Sequence, residues 1–214
     1  MYLNDTYLKE KLKHVYWLTG GPCSGKTTMT KALYQSYGFK QLDLLFSVYR
    51  DYFDDPKYDP MKIPYSGMDW EWYFNRPLDE YIEWMLVTCR RVLDFFLIDL
   101  LAESSDKPIV IDCGVEVEYL LPFIQKEHII GFFTSDEEIT KKYLHRDDHN
   151  MIWVCINKNV EDKDAAINNV NNAMIGYSNA VKKSCESYGI KQIIRTPDLS
   201  VKEQLEQVVK YFKL

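Results

Sequence analysis

Between Trp17 and Lys31 the chain reads WLTGGPCSGKTTMTK. Its middle, Gly20-Gly21-Pro22-Cys23-Ser24-Gly25-Lys26-Thr27, has the spacing G-x-x-x-x-G-K-[ST]. Phosphate oxygens need several donors at once. A glycine-rich turn lets backbone N–H groups converge on them, and the helix that follows adds its positive end. Gly20 and Gly25 stand where a Cβ would interfere most. Lys26 would reach the β- and γ-phosphates, and the Thr27 hydroxyl would ligate Mg²⁺. Gly21, Cys23, Ser24 and Thr28 complete the candidate contacts, with Cys23 read as a tolerated small residue. A chain of this length shows the pattern by accident on the order of 1% of the time. Here it also follows an apolar strand-like run and opens a helical pattern, the context the motif requires.

A second acidic element lies downstream. Ile109-Val110-Ile111-Asp112 is an apolar strand ending in a carboxylate, the form that holds Mg²⁺ beside a phosphate loop. Strands also end in Asp for turn reasons; the phosphate loop favours the metal reading. His145 and His149, with Asp147 and Asp148 between them, suggest a metal site, but no further His or Cys cluster supports it.

Elements must position these residues. Five short apolar runs read as buried strands: Val15–Thr19, Phe39–Leu42, Pro108–Ile111, Ile129–Phe133 and Gln192–Arg195. Helical patterns fill the gaps, which argues for a parallel sheet covered on both faces. The first helix should run from the phosphate loop through Tyr37, closed by Gly38. A second should start near Pro77 and reach about Ala102, with Leu78, Ile82, Met85, Cys89, Val92, Phe96 and Leu100 on one stripe. A third should start at Ser135, capped by a Ser135–Glu138 box. Two more should cover Lys163–Tyr188 and Ser200–Phe212. The stretch from Phe46 to Phe74 holds Pro56, Pro60, Pro64 and Gly67 among many aromatics, and it is too long for a plain connector.

Composition narrows the class. The chain has 214 residues, 46% apolar and with a formal net charge of −6, and no basic block stands out. A nucleic-acid partner is disfavoured and a membrane-surface partner likewise. The five cysteines, Cys23, Cys89, Cys113, Cys155 and Cys185, are dispersed and odd in number, which reads as a reduced, cytoplasmic protein. The opening MYLNDTYLKEKLKH is polar and does not read as a signal peptide. No segment is long and apolar enough to span a bilayer.

These features resemble the P-loop small-molecule kinases, the group of the adenylate, shikimate and gluconate kinases. GGPCSGKTT is similar to their glycine-rich loop, IVIDCG to their third strand, SDEEITKKYLHR to their lid entry, and IIRTPD to the last strand with its adenine-contacting loop. The resemblance implies an α/β, three-layer P-loop NTPase fold. Its five-stranded parallel sheet would have the order 2-3-1-4-5, with helices on both sides. Residues 1–214 would form one domain, with a mobile lid at about 136–162 and an acceptor-binding insertion at about 44–76. It places adenine near Thr196 and Pro197, and makes Asp43, at the end of the second strand, the group that orients or deprotonates an acceptor. The insertion matches no acceptor signature, and the lid carries Lys141, Lys142, His145 and Arg146 where several arginines are expected.

The remaining candidates each have two readings. Arg146 would close on the γ-phosphate, or complement a helix C-terminus. Lys141, Lys142 and His145 read as a solvated face with at most one lid contact. Arg76 is the candidate acceptor contact, because a guanidinium suits phosphate or carboxylate. Arg90 and Arg91 read as a polar helix face. Trp70, with Trp72, Tyr73 and Phe74, forms either a wall against the acceptor or a cluster anchoring the insertion.

The expected activity is therefore ATP- and Mg²⁺-dependent phosphoryl transfer to a small molecule bearing a hydroxyl or phosphate, catalysed by Lys26, Asp43 and Arg146. A nucleoside or nucleotide acceptor is the narrower version. A nucleotide-binding switch with weak or no ATPase activity is the alternative from another class.

Overall fold

The structure is a computed structural model that describes residues 4–43, 49, 69–103, 106–145 and 150–214. Five strands form one sheet: β1 (Val15–Gly20), β2 (Lys40–Asp43), β3 (Ile109–Asp112), β4 (Ile129–Phe133) and β5 (Lys191–Ile194). Their order is 2-3-1-4-5 and every pairing is parallel. The α/β architecture expected from the sequence is the observed one. Each strand lies within one residue of its expected bounds.

The helices are α1 (Asp5–Lys11), α2 (Lys26–Tyr37), α3 (Trp70–Asn75), α4 (Leu78–Ala102), α5 (Val117–Leu120), α6 (Asp136–Lys142), α7 (Asn150–Asn159), α8 (Lys163–Ser187) and α9 (Val201–Phe212). Their ends follow local chemistry. Gly38 closes α2 at φ 70°. Ser200 and Glu203 form a complete capping box on α9. The box expected on α6 is half made: the Ser135 Oγ accepts from the Glu138 N–H at 3.3 Å, but the Glu138 carboxylate pairs with Lys142 instead.

Side chains alternate across the sheet, so each face has its own core. Val15, Trp17, Ile109, Ile111, Ile129 and Phe133 pack with α1, α4, α5 and α8. Leu18, Val110, Ile130, Phe132 and Ile193 pack with α2 and α9. A third cluster has a geometric cause. The helices α4 and α8 have 25 residues each, about 37 Å at the helical rise. Strands of four to six residues reach only about 13–20 Å. The helices overshoot the sheet by roughly 20 Å. Their overhanging turns pack with α3, α6, α7 and Cys23 of the 20–25 loop in an apolar cap.

Candidate functional site

The 20–25 loop leaves β1 and enters α2. Gly20 sits at φ 133°, and a Cβ there would lie 1.9 Å from the Phe132 carbonyl oxygen on β4. At Gly25 a Cβ would meet only ordinary contacts, the nearest being Arg195 Cδ at 3.7 Å, but φ is 94°, so it is backbone conformation that selects glycine there. Between them Cys23 adopts φ 58° with a Cβ present.

Side chains hold the loop's carbonyls. The Ser24 Oγ donates to the Gly21 carbonyl at 2.8 Å. The Lys26 Nζ donates to the carbonyls of Gly21 at 2.7 Å and Gly20 at 3.2 Å. Among the described residues, no protein group takes a hydrogen bond from the N–H of Ser24, Gly25, Lys26 or Thr27. These amides and the α2 N-terminus offer donors to an anion.

Asp112 meets this loop. Its Oδ2 accepts from the Thr27 Oγ1 at 2.5 Å, and its Oδ1 lies 3.8 Å from the Lys26 Nζ. The hydroxyl–carboxylate pair is an oxygen donor set that fits a hard divalent cation such as Mg²⁺. Asp43 is paired in register with Asp112, so two acidic residues end adjacent strands at one level. The Asp43 side chain lies outside the described residues, as do Arg146 and Arg50.

A cavity of about 430 Å³ opens over the loop, lined by residues 22–28 with Lys141, Lys142, His145 and Arg195. Lys141 and His145 are exposed and Lys142 half-buried, as a solvated face requires, and all three also border the cavity. Glu138 tempers them: its bond to Lys142, with Lys141 and Arg195 nearby, holds its carboxyl below the usual range. Arg195 is the residue that sequence reasoning missed. It reads as the end of a strand, yet its Nη1 donates to the Cys23 carbonyl at 3.1 Å. Thr196 and Pro197 line an adjoining cavity of about 470 Å³ with Arg195, Ser178 and Lys182.

The acceptor-side candidates are placed elsewhere. Arg76 is 5% exposed and does not line the cavity over the loop. Its Nε donates to the Tyr73 carbonyl at 2.9 Å, and its guanidinium lies 4.3–5.1 Å from the ring centroids of Tyr73, Tyr81, Trp84 and Trp72. Trp70 stacks on Phe74 within the apolar cap. For these residues the anchoring cluster describes the packing. Arg90 is more than a polar face. It grips the buried Glu116 carboxylate through Nε, at 3.1 and 3.3 Å, and through Nη2. That bonding raises the guanidinium further above its ordinary range.

No family model and no curated protein matches the chain in sequence. Solved structures do match in fold. One is a shikimate kinase from Acinetobacter baumannii in complex with shikimate, with TM-score 0.50, 14% identity, and 96% of this chain and 95% of that one covered. The likeness is one of fold, the P-loop kinase-like arrangement of sheet and helices. No helix among the described residues is long and apolar enough to cross a membrane.

Proposed function

We propose that the chain binds ATP with Mg²⁺ on residues 20–28 and passes the γ-phosphate to a small-molecule acceptor. The observation that carries this reading is the meeting of the Thr27 hydroxyl, the Asp112 carboxylate and the Lys26 ammonium, with Lys26 and Thr27 also lining a cavity bordered by basic residues. A bound Mg²⁺ would neutralise phosphate charge and orient the phosphates. The chain's own residues do the rest by positioning and electrostatics. The loop amides hold the phosphates, and Lys26 exchanges its loop carbonyls for phosphate oxygens. Lys141 and Lys142 add positive charge along the cavity, which His145 also borders, and Arg146 stabilises the transferring phosphoryl group. Thr196 and Pro197 border the base. Asp43 orients the acceptor or takes its proton.

The acceptor is a small molecule bearing a hydroxyl or a phosphate. Among the described residues, Arg90 is engaged by Glu116, whereas Arg76 donates from Nε to the Tyr73 carbonyl and keeps a buried Nη2 without a hydrogen-bond partner. The fold likeness to a small-molecule kinase agrees with this class without naming the compound.

The test is ADP release from Mg·ATP with and without pooled metabolites. Stimulation by a pool, lost in Lys26→Ala while the fold is retained, supports transfer. ATP binding that no compound stimulates would favour a nucleotide-dependent switch. Full activity in Lys26→Ala would sink the assignment.

A further inference from the structure

One residue of the phosphate loop holds a conformation its type disfavours. At φ 58° Cys23 is left-handed, a region disfavoured about tenfold for a residue with a Cβ relative to glycine. Something outside the loop must hold it there. The thiol side chain contributes by packing into the apolar cap. The Cys23 carbonyl is held by Arg195, whose Nη1 donates to it at 3.1 Å from the end of β5.

A planar trans peptide points its C=O and N–H in opposite directions. Fixing the Cys23 oxygen therefore fixes the direction of the Ser24 N–H. That N–H is the first of the unpaired amides leading into α2. We propose that Arg195 is a positioning residue, which clamps the Cys23–Ser24 peptide so that the loop amides face phosphate oxygens before nucleotide arrives. The inference rests on the nucleotide-binding reading for its consequence, but the clamp itself is a property of the free protein.

A double-mutant cycle separates this role from direct contact with nucleotide. Arg195→Met removes the clamp. Cys23→Gly removes the penalty that the clamp opposes. Loss of the thiol from the cap is common to both backgrounds and cancels. Mg·ADP affinity is measured by calorimetry, and thermal midpoints are measured without ligand. Arg195→Met should weaken Mg·ADP about tenfold, the effect of one hydrogen bond to a charged group. Cys23→Gly in that background should restore affinity to within about threefold of the starting protein. It should also raise the midpoint less than it does when Arg195 is present, because a loop released from the clamp has already shed the strain that glycine relieves.

Unchanged affinity in Arg195→Met overturns the proposal. So does a double variant as weak as Arg195→Met with additive midpoints, the signature of an arginine that touches nucleotide directly. Should the unsubstituted protein fail to bind Mg·ADP, the nucleotide reading falls, and coupled or additive midpoints still decide the clamp.

Discussion

Replacing Glu116 by Gln tests whether the turn after Asp112 is held from α4. The Glu116 side chain is 6% exposed and that of Arg90 24%. Glu116→Gln keeps the shape and removes the charge, leaving the guanidinium with Glu83, which is 60% exposed, and the face of Tyr119. Breaking a buried pair from one side costs about 3–5 kcal/mol. A quarter of Arg90 reaches solvent, so about 2–3 kcal/mol is the expected loss. For a chain of this length that lowers the thermal midpoint by about 5–10 °C. Urea and thermal unfolding would measure it. Replacing both residues, Arg90→Met with Glu116→Leu, leaves no orphaned charge and should recover most of the loss. A Glu116→Gln variant within about 0.5 kcal/mol of the parent would refute the reasoning. So would a double variant that merely sums the single effects.

Two further outcomes follow from the geometry. Asp112→Asn keeps an acceptor for the Thr27 hydroxyl but removes the carboxylate charge, so the gain in ADP affinity on adding Mg²⁺ should shrink by about tenfold. Calorimetry with Mg²⁺ and with EDTA reads this, and an unchanged Mg²⁺ effect would exclude Asp112 from the metal site. His128 stacks on Tyr16 and donates from Nδ1 to the Val15 carbonyl, and burial depresses its pKa below the usual 6.5. Below pH 6.5 the unfolded chain takes up a proton more readily than the folded one, so this stability is present above 6.5 and declines as pH falls toward the folded value. Thermal midpoints at pH 7.5 and 5.5 should differ less in His128→Gln than in the parent; equal differences would count against it.

Much of the sheet was legible because its signal is local. Runs such as Ile129–Phe133 are apolar throughout, as strands buried on both faces must be. The helix α7 was not, because Ile152 to Ile156 is an unbroken apolar run with no helical gap. Its packing of Ile152, Cys155 and Ile156 into the cap decides the outcome. The six-residue α3 is too short to show a period, although the Asp69 side chain that caps it is a readable start. The 20–25 loop and its entry into α2 were legible because their form is carried by backbone and fixed spacing. Arg195 was not, since it meets Cys23 across 172 positions. Arg90 looked like a surface charge because its partner Glu116 lies 26 residues away.

Opening the lid that the resemblance implies would carry a cost set by its apolar packing. A segment at about 136–162 that swung away as a unit would uncover Ile139, Tyr143, Leu144 and Ile156, each 7% exposed or less. At about 1.5–3 kcal/mol for each large apolar side chain, detachment would cost roughly 6–12 kcal/mol. That is comparable to the whole stability of an ordinary domain. The same cluster contains Cys23, so the loop and these helices are packed as one piece. Charge can still close over a nucleotide without that cost. Lys141 and His145 are exposed, and among the described residues Lys142 is held only by an i,i+4 pair with Glu138. Their long side chains can turn into the cavity from helices that stay packed.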